Sequence, residues 1–155
     1  MKISVLGCGR WGSFLAWYCD RIGYEVTLWG RQNSQHMLEL VNTRRNDYLT
    51  MPSSIALTQN LADALAADVI IISIGAQQLR PFLNELKPFG LTGKKFVLCM
   101  KGLESGTGKS FRAKLLMQKY GITALIMEAT MGLDFEDDFR LFAHSSVNLV
   151  KRTVK

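Results

Sequence analysis

Cysteine is scarce: 155 residues carry three, Cys8, Cys19 and Cys99, with no C-x-x-C spacing among them. That excludes a disulfide framework and a thiol-built metal site, and the expectation is unbridged thiols, buried in a reducing compartment. Long apolar runs are also missing. The longest strongly apolar one, VIIISI at residues 69–74, falls far short of the roughly 20 residues that cross a bilayer as a helix. Glycines from Gly7 onward interrupt the N-terminus before the apolar core of a signal peptide could form. A cytoplasmic chain with no membrane span is the resulting expectation. Histidine is limited to His36 and His144, each alone in its surroundings and read as a surface residue. The acidic cluster Asp134, Glu136, Asp137 and Asp138 has no His or Cys at ligand spacing. It reads as the first turn of a helix, where the dipole favours carboxylates, and no metal is expected. Internal repeats, low-complexity linkers and motifs that read DNA or RNA are absent, so no nucleic-acid partner is expected.

What remains is ordinary globular material, 48% hydrophobic and 21% charged, in a length suited to one domain with a real core. The formal charge of +6 favours an anionic partner such as a phosphorylated ligand. Basic residues are spread along the chain apart from the tail Lys151, Arg152 and Lys155.

The chain is organised around KISVLGCGRWG at residues 2–12. Ile3, Val5 and Leu6 read as a short buried strand, Gly7-Cys8-Gly9-Arg10-Trp11-Gly12 follows as G-x-G-x-x-G, and a helical pattern starts at once. In that context Gly7 permits the tight turn, Gly9 lets the backbone approach a pyrophosphate, and Gly12 lets the helix pack closely on the strand. The helix N-terminus adds N–H groups and the positive end of its dipole. The spacing of Trp11, Leu15, Tyr18, Cys19 and Ile22 predicts a helix over residues 11–22 that Gly23 stops. EVTLW at 25–29 is a second strand, which completes a βαβ unit. At its end stand Gly30, Arg31 and Gln32, with no carboxylate. A carboxylate there would bind the ribose 2′-hydroxyl of NAD, whereas an Arg can hold the 2′-phosphate of NADP. Arg31 therefore favours NADP, or tolerance of both cofactors, over a strand-end Arg that merely faces water.

Further along, residues 36–41 read as a short helix and 42–54 as an irregular stretch with Tyr48 and Pro52. Residues 55–58 read as a short strand, and Asn60 as an N-cap with Asp63 three residues on. The β-branched run at 69–74 marks a strand covered on both faces. Gly75-Ala76-Gln77 then leads into a helix through about Phe89, with Pro81 tolerable only in its first turn. KKFVLCM at 94–100 is the next strand, ending in Lys101-Gly102, and 122–127 reads as a fifth. Residues 146–150 form a candidate last strand. Gly108-Lys109-Ser110 ends like a P-loop, but Leu103 stands where its first Gly belongs and Gly102 is one residue out of register. A loop before a helix is the better account. The expected fold is a Rossmann-type, doubly wound parallel sheet.

Taken together, residues 1 to about 127 resemble the N-terminal domain of bacterial NAD(P)-dependent glycerol-3-phosphate dehydrogenases. The resemblance rests on MKISVLGCGRWG, EVTLWGR, the Asn46, Tyr48, Leu49 stretch, ADVIIISI followed by Gln77, and KGLESGTGK at residues 101–109. It implies reversible hydride transfer between NAD(P)H and dihydroxyacetone phosphate, giving glycerol 3-phosphate for phospholipid synthesis. It also implies that Trp11, Arg31 and Tyr48 line the cofactor site beside the glycines, and that Lys101 contacts cofactor and substrate.

Three departures from the family stand out. Arg10 replaces a small residue beside the phosphates, Gly75-Ala76 replaces Pro-Ser before Gln77, and only Gly132-Leu133-Asp134-Phe135 stands where a G-P-[ST]-F-A segment belongs. The sequence ends at Lys155, before the family's helical C-terminal domain with its acid/base lysine and most of its substrate phosphate site. The expectation is thus a single dinucleotide-binding domain over 1–155, divergent or truncated after 127, with little or no turnover alone. A homodimer is favoured if the face meant for the helical domain stays apolar. The alternatives are a stand-alone NAD(P)-binding or sensing module, a reductase for ketopantoate or a 3-hydroxy acid, and a nucleotide hydrolase built on Lys109.

Overall fold

The computed structural model describes residues 1–91 and 94–99, together with the backbone of Ala124–Ile126. Lys101, the 101–109 stretch, the acidic cluster, His144 and the strand candidate at 146–150 lie outside the described residues.

Lys2–Leu6 (β1) is followed by Arg10–Arg21 (α1), Glu25–Trp29 (β2), Gln35–Thr43 (α2), Ala56–Thr58 (β3), Leu61–Ala64 (α3) and Val69–Ile72 (β4). A 3₁₀ turn over Ala76–Gln78 leads into Leu79–Leu86 (α4), and Lys95–Leu98 (β5) and Ala124–Ile126 (β6) complete the sheet. All pairings of these strands are parallel, in the order β3-β2-β1-β4-β5-β6. The order runs outward in both directions from β1, so successive crossovers cover opposite faces and a cleft opens where the direction reverses, between β1 and β4. This is the expected doubly wound sheet. The short segment near residue 57 does join it, at one edge, which makes the strand around residue 125 the sixth and not the fifth.

The strand pleat sends alternate residues to opposite faces. On one face Ile3, Val5, Val26, Leu28, Val69, Ile71 and Val97 pack with Leu15, Ala16 and Cys19 of α1 and with Met37 and Leu40 of α2. On the other, Leu6, Trp29, Ile70, Ile72, Phe96 and Leu98 pack with Ala64 and Leu65, and with Leu79, Phe82, Leu83 and Leu86 of α4. Every residue of β4 is buried, which explains its unbroken β-branched sequence.

Several local expectations shift. The buried stripe of α1 is Gly12, Ser13, Leu15, Ala16 and Cys19, while Trp11, Tyr18 and Ile22 are only half-buried. Small residues at the seam bring the helix close to the sheet, and the aromatic rings flank it, Trp11 stacking on Phe14 at 5.6 Å. The helix stops as expected, with Gly23 at φ +89° and its N–H bonded to the Asp20 carbonyl. β4 ends two residues early, and the helix expected through Phe89 is divided into the 3₁₀ turn and α4. Pro81 is the third residue of α4, where a missing N–H costs nothing. Asn60 caps α3 by accepting from the Ala62 N–H, but Asp63 does not reciprocate; its carboxylate accepts from the Thr58 hydroxyl.

All three cysteines are buried and reduced. Desolvation pushes the Cys19 and Cys99 thiols from 9.0 up to about 12, with Cys19 adding to the effect on Cys99. Both are expected to resist iodoacetamide at pH 8 in the folded chain and to react only after denaturation, as read by intact mass. Because the folded chain keeps protons that the unfolded chain releases, their stabilising effect is complete below pH 9.0 and declines as pH rises toward 12. Ser4 is fully buried in β1 and its hydroxyl has no hydrogen-bond partner among the described residues. Ser4→Ala is expected to raise stability by about 1 kcal/mol in urea melts; a clear loss would show that the hydroxyl is satisfied.

Candidate functional site

The carboxyl ends of β1, β2 and β4 meet at one turn. Gly7 leaves β1 at φ +118°, its N–H bonds the Trp29 carbonyl at 2.9 Å, and the Ser73 N–H bonds the Leu6 carbonyl at 2.8 Å. A Cβ at Gly7 would lie 2.2 Å from the Ser73 carbonyl oxygen, and one at Gly12 would lie 1.8 Å from the Gly7 carbonyl oxygen. Both positions admit only glycine. For Gly12 the close approach is to the turn itself and not to the body of the strand. Gly9 differs: a Cβ there would meet nothing within 4 Å among the described residues. A free space thus lies beside the middle glycine, between two that the packing demands.

That space sits at the N-terminus of α1. Gly9 is the N-cap and has no side chain to satisfy the first-turn N–H groups, and no acidic residue occupies that turn. The buried Ser13 hydroxyl instead bonds the Cys8 carbonyl at 3.0 Å, which turns the loop's carbonyl inward. Arg10 adds a full positive charge at the same helix end. It donates to the Tyr48 hydroxyl, and its guanidinium lies over the Tyr48 ring at 4.3 Å from the centroid. Cation–π stacking of this kind contributes about 0.5–1 kcal/mol and offsets the unfavourable meeting of a cation with a helix N-terminus. A helix N-terminus without a side-chain cap, beside a held cation, offers the chemistry that suits an anion.

Tyr48 reaches Arg10 because of a small turn. The Asn46 side chain is buried, and its oxygen accepts from the Tyr48 and Leu49 N–H groups, both at 3.0 Å. Arg44, left-handed at φ 57°, donates to the carbonyls of Pro52 and Ile55 and closes the base of the loop. The tip, Tyr48, remains 57% exposed.

Arg31 follows β2 by two residues and does not merely face water. It donates to Glu85 of α4 at 2.9 Å and lies 6.0 Å from the Phe82 ring centroid. Both side chains stay more than two-fifths exposed, 44% and 42%, so the pair is worth about 0–1 kcal/mol and yields readily to a better anion.

A family model for the N-terminus of NAD-dependent glycerol-3-phosphate dehydrogenase matches residues 2–126. The chain belongs to this family. Glycerol-3-phosphate dehydrogenase [NAD(P)+] of Parvibaculum lavamentivorans is 39% identical over 111 residues, which are 68% of this chain and 33% of that protein. The enzyme of the same description from a Thermoanaerobacter strain is 36% identical over 115 residues, 70% of this chain and 34% of that one. The chain therefore spans about a third of the curated relatives it matches. Among solved structures, glycerol-3-phosphate dehydrogenase of Coxiella burnetii shares the fold at TM-score 0.68 and 22% identity, over 81% of this chain and 39% of that one. The Saccharomyces cerevisiae enzyme does so at TM-score 0.67 and 22% identity, over 84% and 42%.

In this glycerol-3-phosphate dehydrogenase domain the described candidates divide into two groups at one sheet edge: Gly7, Gly9, Arg10, Trp11, Gly12 and Tyr48 around the glycine turn, and Arg31 beside α4. Sequence reasoning missed Gly30, Ser34 and Glu85. A Cβ on Gly30 would lie 2.6 Å from the Cys8 sulfur and 2.7 Å from Met37 Cβ, so this glycine lets α2 approach the loop. Ser34 caps α2 and also meets the Cys8 thiol at 3.5 Å. The cap was readable as a Ser before an apolar pattern; Gly30 and Glu85 carry no local signal. Among the described residues, no group of His, Cys, Asp and Glu could hold a metal and no helix is long and apolar enough to cross a membrane. Gly30→Ala is expected to cost about 1–3 kcal/mol through overpacking in thermal or urea unfolding, although alanine is ordinarily the milder residue at such a site.

Proposed function

We propose that this chain binds NADPH, with NADH tolerated, as the cofactor-binding part of a glycerol-3-phosphate dehydrogenase that interconverts dihydroxyacetone phosphate and glycerol 3-phosphate. The observation that supports it most is the open space at Gly9, bounded by two sterically obligatory glycines and by the uncapped, Arg10-bearing end of α1. Backbone N–H groups there suit a pyrophosphate, with Gly7 and Gly12 keeping the turn tight and Gly9 letting the ligand approach. Arg10 and Tyr48, already in contact, would hold the phosphates from one side, with Trp11 in the same first turn of the helix. Arg31, at the end of β2, is the residue that would meet the adenosine ribose and a 2′-phosphate.

When bound, the nicotinamide supplies the hydride. The protein has to orient it, exclude water and stabilise charge on the carbonyl oxygen. Family resemblance assigns to Lys101 the contact with both cofactor and substrate; the strand before it, β5, ends at the same sheet edge. The reduced, buried cysteines suit a cytoplasmic protein, and a homodimer is the assembly we carry forward, to be read by analytical ultracentrifugation.

Titration of tryptophan fluorescence with NADPH and then NADH tests the reading. Both are expected to quench saturably, NADPH binding more tightly, and Arg10→Ala to weaken both cofactors about fivefold to tenfold. A chain that saturates with neither cofactor would sink the proposal.

A further inference from the structure

The carboxylate that the end of β2 lacks is delivered by a different element. In doubly wound sheets that bind dinucleotides, a carboxylate at this point accepts from the ribose 2′-hydroxyl, while an Arg pairs with a 2′-phosphate. Here both charges are present and already joined, since Arg31 donates to Glu85 Oε1 at 2.9 Å. The core fixes their meeting. Trp29, the last residue of β2, packs against Phe82 of α4 with ring centroids 5.4 Å apart, and both are buried. Glu85 lies three residues after Phe82, one helical turn on and on the same side of α4, and Arg31 spans the two.

We propose that Glu85 is a specificity-determining residue that restrains the preference for the 2′-phosphorylated dinucleotide and lets the unphosphorylated one compete. The inference rests on the dinucleotide reading above. An incoming 2′-phosphate must share Arg31 with Glu85 or displace it, and in either case lies close to a carboxylate of like charge. A 2′-hydroxyl meets no such repulsion and has in Glu85 an acceptor within the same pair. The local charge decides the matter: the Arg31–Glu85 pair is neutral, and without Glu85 the site carries one uncompensated positive charge. Both side chains are exposed enough for a ligand to reach them.

The test compares NADPH and NADH dissociation constants for the intact 155-residue chain, for Glu85→Gln and for Arg31→Gln. Glu85→Gln keeps the shape of a solvent-facing side chain and leaves the buried face of α4 untouched. It is expected to tighten NADPH about fivefold while NADH stays within about twofold, and the gain should shrink in high salt. Arg31→Gln should erase the difference between the cofactors. Adenosine 2′,5′-bisphosphate and AMP, which carry only the adenosine end, should show the same shift on Glu85→Gln. An unchanged cofactor ratio in Glu85→Gln, or a shift absent from the two fragments, would overturn the proposal while the dinucleotide reading stands. Failure of the unaltered chain to bind either cofactor would remove the reading and the inference together.

Discussion

The carbonyl oxygen of Gly7 and the missing side chain of Gly12 set the geometry of everything around them. Because a Cβ at Gly12 would come within 1.8 Å of that oxygen, α1 can start directly against the turn that ends β1. Its N-terminus, where Gly9 offers no side-chain cap, then lies at the carboxyl edge of the sheet. The turn is itself pinned from both sides, by the Trp29 carbonyl of β2, which accepts from the Gly7 N–H, and by the N–H of Ser73 just after β4, which donates to the Leu6 carbonyl. Three strand ends, one helix end and one loop are thereby held in a fixed relation by atoms that tolerate no substitution. The open space at Gly9 follows from this arrangement, since the residues on either side of it cannot move in to fill it.

Electrostatics at this edge follow from which charges the packing brings in. Arg10 would be poorly placed on an isolated helix, where a cation meets the positive end of the dipole. The Tyr48 ring holds it, and Tyr48 is held in turn by the buried Asn46 amide. A family feature that reads in sequence as a scattered Asn and Tyr is physically one device, a turn that offers an aromatic ring to a cation. At the adenosine end, the Trp29–Phe82 contact locks α4 against the end of β2 and so decides which acidic residue Arg31 meets.

Much of the architecture was readable because its causes are local. β1 and β2 follow from period-2 and β-branched apolar patterns, β4 from a run buried on both faces, and the first turn from glycines at fixed spacing. The sequence misled where packing overrode the pattern. Large aromatics on α1 read as its buried stripe, yet small residues hold the seam, because a helix seated against a glycine turn lies too close to the sheet for a ring to fit between. The α2 end was misplaced for a similar reason: Arg44 is an unusual left-handed cap, retained because its guanidinium ties down the carbonyls of Pro52 and Ile55.

By itself, then, the sequence determined the glycine turn from spacing within about thirty residues, and the parallel doubly wound class, the basic residues offered to an anion and the family from a succession of such local patterns along the chain. Only the tertiary structure decided that Gly30 is sterically required, that Arg10 is clasped by Tyr48 and that Arg31 is paired with Glu85. Those contacts join residues from 7 to 54 positions apart in the chain, and no local pattern encodes a distance that exists only after the strands have been ordered around β1.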